Sequence, residues 1–167
     1  MPGELPYTLE LRRLVDDYTA RLEEVDDGAI HRRPAPGKWS VAEVIGHLVD
    51  SASHNHQRFV RGPRQDALVF DGYAQDDWVA VQRYQDADFG ELLNLWRGYN
   101  LHLARLMELT PAAEREKPYI RHNFDQVAFR PMPAGSPATL DWFMADYVEH
   151  LKHHLQQIDA LLRDTDA

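Results

Sequence analysis

Three histidines stand within five residues of one another near the C-terminus, in the stretch "DYVEHLKHHLQQI". They are His150, His153 and His154, and imidazole nitrogen is a common ligand of zinc, nickel, cobalt and iron. On a helix, residues i and i+4 share one face about 6 Å apart. His150 and His154 could therefore hold one metal ion together. Histidine pairs with this spacing also occur as helix-packing residues, and the spacing alone leaves both interpretations open.

The apolar residues around these histidines predict which of them face inward. At about 100° per residue, His154 falls within the apolar stripe of the predicted helix, His150 falls at its edge and His153 falls outside it. The pattern therefore predicts a solvent-exposed His153. The stripe consists of Leu140, Phe143, Met144, Tyr147, Leu151, Leu155, Ile158 and Leu162.

A fourth histidine, His47, lies in the stretch "KWSVAEVIGHLVDSASHNHQRF". It stands at the margin of a second apolar stripe, and by itself this position favours a partly buried packing histidine over a metal ligand. His54 and His56 come later on the same predicted helix, where we expect surface residues. That second stripe consists of Val41, Val44, Ile45, Leu48 and Ala52.

Apolar residues at three-and-four spacing predict four long helices. Capping residues mark three of the starts: Ser40 with Glu43 as a capping box, Asp88 with Glu91, and Thr139. The predicted helices span about Leu11 to Val25 with a stop at 26–28, Ser40 to Arg61, Asp88 to a point before Pro111, and Thr139 to Leu162.

Long connections separate these helices. The stretch "HRRPAPGKW" is predicted to be an ordered loop, and residues 62–86 are expected to shape a pocket wall or lid around a short helix near Trp78. Residues 118–138 are rich in proline and are predicted to be hostile to helix. The sequence therefore predicts an all-α, four-helix-bundle fold with long crossover connections, in which residues 1–167 form a single domain.

The composition narrows the possible partners. The chain has 27 acidic and 18 basic residues and a net charge of -9, which disfavours binding to nucleic acid and to anionic membrane surfaces. It has no cysteine, so a metal site would use nitrogen and oxygen ligands. No apolar run is long enough to span a bilayer and no signal peptide is recognised. We expect a cytoplasmic protein.

Three stretches together resemble a known family. "GKWSVAEVIGHLVDSASHNHQRFVR", "DGYAQDDWVAVQRY" and "TLDWFMADYVEHLKHHLQQI" are similar to the DinB-like superfamily and, within it, to the YfiT branch of bacillithiol transferases. The resemblance covers most of the chain and is weakest over residues 119–138. It implies a four-helix bundle, a homodimer, and one divalent metal ion held by a histidine of the second helix and an i, i+4 pair of the last. Carried over, the implied ligands are His47, His150 and His154. Nickel or zinc is the metal we expect, with manganese, cobalt and iron as alternatives.

Three histidine ligands would leave a coordination position open, which is typical of catalytic metal sites. A thiol ligand would be activated to attack a small-molecule electrophile, and the resemblance makes a low-molecular-weight thiol (bacillithiol-type) S-transferase in detoxification our first hypothesis. A water ligand would make the protein a metal-dependent hydrolase. A non-catalytic, stress-induced binding protein is the third hypothesis.

Other residues are weaker candidates. Four carboxylates could orient imidazoles or act as a general base, although helix surface or capping explains each of them: Glu43, Asp50, Asp146 and Glu149. Four arginines could bind a substrate carboxylate, and the sequence does not choose among them: Arg58, Arg61, Arg121 and Arg130. Five aromatic residues are predicted to serve packing, the last of them as a staple at a helix start: Tyr73, Trp78, Trp96, Trp142 and Trp39.

Overall fold

The structure is a computed structural model that describes residues 3–163. Within this range the chain forms four long α-helices and four short ones. Residues 1–2 and 164–167 of the predicted domain lie outside this range. No β-strand occurs within it, although two isolated bridges join loop residues. The helices are α1 (Pro6–Glu23), α2 (Asp27–His31), α3 (Val41–Arg61), α4 (Gln75–Gln82), α5 (Phe89–Leu109), α6 (Ala112–Arg115), α7 (Phe124–Val127) and α8 (Leu140–Arg163).

The long helices α1, α3, α5 and α8 pack as a bundle. α5 packs against both α1 and α3, and α8 packs against the same two helices, so the order around the bundle is α1, α5, α3, α8. α1 and α3 therefore stand diagonally, as do α5 and α8, and the chain must cross the end of the bundle to join them. This arrangement confirms the predicted all-α bundle with long crossover connections.

Local capping explains where three of the long helices begin. The Ser40 side chain accepts a hydrogen bond from the Glu43 amide, and the Glu43 carboxylate accepts one from the Ser40 amide, so the predicted capping box is confirmed. At α5, Asp88 accepts from the Glu91 amide. At α8, Thr139 accepts from the Trp142 amide. These caps fix the starts of α3 and α8, the two helices that carry the candidate metal ligands.

The first predicted helix is present, but it begins earlier than its apolar positions and ends two residues before Val25. α1 begins at Pro6, whose fixed φ suits the first turn of a helix, and ends at Glu23. Asp26, predicted to stop the helix, instead caps α2 by accepting a hydrogen bond from the Gly28 amide. The predicted loop therefore begins after His31, the last residue of α2.

The two longest connections are joined to each other. Leu68 donates its amide to the Arg121 carbonyl and accepts from the Asn123 amide, and the Asn123 side chain bonds both main-chain groups of Phe70. The prediction that 118–138 contains no helix was wrong, because Phe124 begins the one-turn helix α7. Phe124 is fully buried and stacks on Phe143 of α8, and this packing holds the turn in place despite the nearby prolines.

The bundle core is close-packed beside the N-terminal half of α3. Gly46 lies against the ring of Tyr84, where an added Cβ would come within 2.1 Å of the Tyr84 Cδ2 atom. Only glycine allows this approach, which buries the ring beside the residue that precedes His47. Among residues 3–163, none of the helices is both long enough and apolar enough to cross a membrane.

Candidate metal centre

Three of the histidines singled out from the sequence lie together between α3 and α8. One imidazole nitrogen from each of His47, His150 and His154 lies within 4.8 Å of the others, and we call these residues the histidine cluster. His47 is 1% exposed and fully inside the bundle, so its predicted marginal position was wrong. His154 is buried and His150 is half-buried, as the apolar pattern predicts.

The spacing of the ring nitrogens fits a metal ion. His150 Nε2 lies 3.4 Å from His47 Nε2 and 3.1 Å from His154 Nε2. Two nitrogen ligands about 2.0–2.1 Å from a tetrahedral zinc ion are separated by about 3.3–3.4 Å. Both separations are close to this value, so the three residues could hold a divalent transition metal ion.

The other ring nitrogens set the orientation of two of these imidazoles. His154 Nδ1 donates to Gln157 Oε1 at 2.8 Å, which leaves the lone pair of the neutral ring on Nε2, facing the cluster. His150 Nδ1 lies 3.3 Å from the Ser51 hydroxyl. His47 Nδ1 is buried with no hydrogen-bond partner among residues 3–163, and the Trp39 ring lies against this imidazole at 5.0 Å between centroids.

Burial keeps the cluster neutral. Burial and the nearby His154 lower the pKa of His47 to about 3. The pKa of His150 falls well below 6.5 because of burial and the surrounding imidazoles. Burial also lowers the pKa of His154, and the hydrogen bond to Gln157 offsets part of this effect. Uncharged imidazoles with converging lone pairs are the form that binds a metal cation.

The remaining histidines do not join the cluster. His153 is exposed, as predicted, and packs beside Phe129. His54 and His56 were predicted to be surface residues, but both are half-buried. His54 stacks on Tyr73 at 3.8 Å between ring centroids, because the connection after α3 folds back over the helix.

The four candidate carboxylates bond to groups other than the cluster. Glu43 pairs with Arg33 while it caps α3, and Glu149 pairs with Lys152. Asp50 and Asp146 were expected on the helix surface, and each is only 2% exposed. Asp50 accepts hydrogen bonds from the Tyr84 hydroxyl and the Gln82 side-chain amide. Asp146 accepts hydrogen bonds from the main-chain amides of Phe129 and Arg130 and from the Arg130 guanidinium.

A cavity of about 260 Å³ opens beside His150. Gly72, Tyr73 and Gln75 line one side of it, which agrees with the expectation that residues 62–86 shape a pocket wall. Of the four candidate arginines, only Arg58 is part of the lining. Arg61 and Arg121 are exposed at the surface, and Arg130 is bound to Asp146.

The aromatic predictions were partly right. Trp96 is fully buried in the core and Trp142 stacks on Phe124, as expected of packing residues. Trp78 is 38% exposed and lies over His54. Tyr73 lines the cavity and Trp39 contacts the cluster, so both stand next to the candidate site.

Sequence analysis missed Ser51 and Gln157, the partners of the cluster. Ser51 follows His47 by four residues and Gln157 follows His154 by three, so helical spacing alone places each beside a histidine. Trp39 precedes the helix, and no periodic signal connects it to His47. Its position follows from the path of the loop into α3.

Comparisons with known proteins agree with this fold. The model of the DinB superfamily matches residues 10–158. Proteins from Geobacillus thermodenitrificans and Geobacillus kaustophilus, both named as candidate metal-dependent hydrolases, are each 24% identical over 151 residues, which cover 90% of this chain and 79% of the relative. A protein of the same description from Bacillus licheniformis is 26% identical over 124 residues, covering 74% of this chain and 65% of its own.

A solved structure is similar over nearly the whole fold. YfiT from Bacillus subtilis, described as a probable metal-dependent hydrolase with an unusual four-helix bundle topology, matches with a TM-score of 0.77. The match has 19% sequence identity and covers 96% of this chain and 86% of YfiT. Because the family match extends from α1 into α8, the chain is a member of the DinB superfamily.

Proposed function

We propose that the chain is a metal-dependent enzyme in which His47, His150 and His154 hold one divalent cation. The observation that carries this proposal is the convergence of three neutral imidazoles on one point inside the bundle. Imidazole ligands suit nickel and zinc, which are the ions we favour. A cation held by three uncharged ligands keeps its full charge and lowers the pKa of a thiol or water at an open position.

The reaction we favour is transfer of a low-molecular-weight thiol to an electrophile. Hydrolysis commonly uses a side chain that takes a proton from the attacking water. The four carboxylates nearest the cluster in sequence each bond to a group outside the cluster: Glu43, Asp50, Asp146 and Glu149. Of their buried oxygen atoms, only Oδ2 of Asp50 is left without a partner among residues 3–163. A thiol that is deprotonated on binding needs no such base, so this arrangement favours the thiol as nucleophile.

The cavity beside His150 is where we place the two substrates. Its wall combines apolar groups, such as Phe143, with the polar side chains of Ser51, Asn55 and Tyr73. A site of this kind excludes bulk water from one face of the reacting sulfur and holds the electrophile close to it. The sulfur would form the new bond to carbon while the leaving group departs toward the cavity mouth.

Hydrolysis is the second candidate, and the names of the relatives support it. Three related bacterial proteins and YfiT are described as metal-dependent hydrolases, with the qualification that their activity is inferred. The same three histidines would serve this reaction, with water in place of the thiol. The two reactions differ in whether a thiol is consumed.

The deciding experiment follows the loss of monochlorobimane by the nickel-loaded or zinc-loaded protein, with and without cysteine or bacillithiol. We expect thiol-dependent conjugation that disappears on chelation and in His150→Ala, while His153→Ala keeps it. Turnover of ester or amide substrates without thiol, at the same site, would favour the hydrolase. Activity that survives both chelation and His150→Ala would refute the metal-dependent proposal.

The homodimer, the single domain and the cytoplasmic location also belong to this proposal. The homodimer rests on the family resemblance, the single domain on the length of 167 residues, and the cytoplasmic location on the lack of cysteine. Sedimentation of the purified protein measures the first of these directly. A monomer at micromolar concentration would contradict it without affecting the metal site.

A further inference from the structure

Arg58 forms part of the cavity wall beside the histidine cluster. It is 7% exposed, and it lies on α3 two helical turns after Ser51, whose hydroxyl contacts His150. One cavity is therefore lined both by His150, a member of the cluster, and by a buried guanidinium that lies farther along α3 than Ser51. Electrostatically, such a cavity is suited to a ligand that carries a negative charge.

The contacts of Arg58 leave its charge without a partner. One nitrogen, Nη2, donates to the Asp71 carbonyl at 2.7 Å, and Nη1 lies 3.5 Å from Asn55 Oδ1. The guanidinium also lies over the Phe143 ring, 5.9 Å from its centroid. Within residues 3–163, no carboxylate comes within ion-pair distance of Arg58.

A second buried arginine shows how unusual this is. Arg115 is also 7% exposed, and its guanidinium pairs with the carboxylates of Asp141 and Glu116. Buried charges in proteins are normally paired in this way, because removing an ion from water without a counter-ion is unfavourable. Arg58 has no such counter-ion within residues 3–163. Burial accordingly lowers its pKa, while Tyr73 and Asp71 offset part of the effect.

The acidic group in the cavity wall does not supply the missing charge. Asp146 is part of the lining, but its carboxylate accepts two main-chain amide hydrogen bonds and pairs with Arg130. The negative charge of Asp146 is therefore already neutralised by Arg130. Asp71, outside the lining, acts on Arg58 electrostatically but forms no ion pair with it, because its carbonyl and not its carboxylate accepts the hydrogen bond. Asn55 and Tyr73 are uncharged at neutral pH.

We propose that Arg58 binds a carboxylate of the substrate or thiol cosubstrate while the reacting atom lies at the histidine cluster. This assignment deepens the proposed function and rests on it. A guanidinium can donate two parallel hydrogen bonds to a carboxylate, and the low dielectric of the site strengthens both. The substrate class is thus a small molecule with a carboxylate several bonds away from its reacting group.

The helix sets the length of that molecule. Seven residues of α-helix separate Ser51 from Arg58, which is a rise of about 10 Å. The Arg58 side chain reaches back toward Asn55, which lies one helical turn nearer to Ser51. A ligand that reaches both groups needs a chain of intermediate length, longer than mercaptopropionate.

Isothermal titration calorimetry tests the assignment on the full-length, nickel-loaded protein. The probes are mercaptopropionate, mercaptohexanoate and mercaptooctanoate, each compared with the mercaptoalkanol of equal length, together with hexanoate and hexanol as thiol-free probes. We expect the wild type to bind the longer acids roughly tenfold more tightly than the matching alcohols, the value of a charge-assisted hydrogen bond. Arg58→Gln should lose this preference.

Arg61→Gln is the matched control, because Arg61 is exposed on the same helix and, among residues 3–163, its side chain bonds only to that of its neighbour Gln57. It should keep the full preference for acids. Arg58→Met replaces the guanidinium with an apolar chain of similar length, and serves if Arg58→Gln does not fold. Metal content is measured on every variant. A variant that keeps its metal but loses the preference for acids has lost carboxylate binding by arginine, not by the metal.

The outcomes are distinct. In the first outcome, the wild type binds the mercapto acids more tightly than it binds either the mercaptoalkanols or hexanoate, and Arg58→Gln loses this preference. This outcome supports the proposal and places the carboxylate on the thiol. An equal preference for hexanoate over hexanol, also lost without Arg58, supports it and places the carboxylate on the other substrate. The hexanoate arm remains decisive even if the protein binds no metal, so the two proposals can fail separately. No preference in the wild type, or one that survives Arg58→Gln, overturns the proposal.

Discussion

The chain contains two groups of neighbouring histidines, and they share α3. The histidine cluster joins His47 of α3 to two residues of α8, whereas the outer histidines, which are His54, His56 and His102, lie where α3 faces α4 and α5. In the cluster, ring nitrogens approach one another to 3.1 and 3.4 Å. Among the outer histidines, His54 Nδ1 donates to the Asp50 carbonyl and His56 Nδ1 lies 3.2 Å from the Tyr99 hydroxyl.

The difference shows what turns histidines into a candidate metal site. The outer histidines are as close in sequence as those of the cluster, but the Nδ1 atoms of His54 and His56 face the main chain and a hydroxyl. The cluster has a facing helix that supplies an i, i+4 pair, with Ser51 and Gln157 orienting both rings of that pair. Orientation by the opposite helix and by hydrogen-bonded neighbours, rather than histidine density, is the distinguishing feature.

Removing one histidine from each group gives the largest expected contrast. His47→Ala should abolish metal binding, because two ligands of one helix hold a divalent ion much more weakly than three. His56→Ala, on the same helix, should retain one ion per chain. Mass spectrometry of tag-free protein measures the metal content. Metal that is lost from His56→Ala but kept in His47→Ala would show that the outer histidines, and not the histidine cluster, hold the ion.

Adding one methyl group to α3 tests how tightly the cluster side is packed. Gly46→Ala would drive a Cβ into the Tyr84 ring, and we expect a loss of about 1–3 kcal/mol in the free energy of unfolding because the ring must move. Gly98→Ala on α5 meets nothing within 4 Å and should instead stabilise the helix by about 0.5–1 kcal/mol. Urea unfolding measures the free energy of unfolding of both variants. Equal effects would show that the Tyr84 ring moves aside at no cost in stability.

A smaller change addresses the orienting hydrogen bond. Gln157→Ala removes the acceptor of His154 Nδ1, and we expect metal affinity to fall about tenfold. Gln156→Ala changes the exposed neighbouring residue and should leave affinity unaltered. Competition with a chelator of known affinity measures both. Unchanged affinity in Gln157→Ala would show that helix packing alone holds the ring.

The smallest expected effect concerns the cap at the start of α3. Burial raises the pKa of Glu43, but its bonds to Arg33 and Ser40 outweigh this and leave the pKa below 4.5. A lowered pKa in the folded state stabilises the fold above the unfolded value and is lost as pH falls through the folded value. Glu43→Gln should therefore be less stable than wild type near neutral pH, and the difference should shrink in acid.

Glu91→Gln is the control for this titration, because Glu91 occupies the corresponding position in the first turn of α5 and is exposed. Thermal unfolding at several pH values follows both variants. A gap between Glu43→Gln and wild type that widens on acidification would reverse the assigned sign.

Features set by neighbours in sequence could be predicted well. Apolar spacing and capping residues predicted α3 and α8 closely, and the same spacing separated the buried His154 from the exposed His153. These features depend on contacts within one helix, or on which face of it is apolar, and both are written in a few consecutive residues.

Features set by the paths of the connections could not be predicted. Asp146 was taken for a surface residue because nothing in its helix indicates that the amides of Phe129 and Arg130 will lie over it. For the same reason, the sequence could not show that Arg58 rather than Arg61 lines a cavity. The cavity around Arg58 forms only when the connections fold over the helix. His47 was recognisable as a candidate ligand through family resemblance, whereas its apolar pattern favoured simple packing.

The hydrogen bonds between residues 68–70 and 121–123 have a consequence for engineering. The first of these segments leads into Gly72 and Tyr73, and the second leads into the Gln126 to Phe129 stretch, so each connection delivers one side of the cavity wall. A chimera that takes only one connection from a relative would pair mismatched halves. Substrate preference in this bundle should therefore be exchanged between relatives as a two-segment graft.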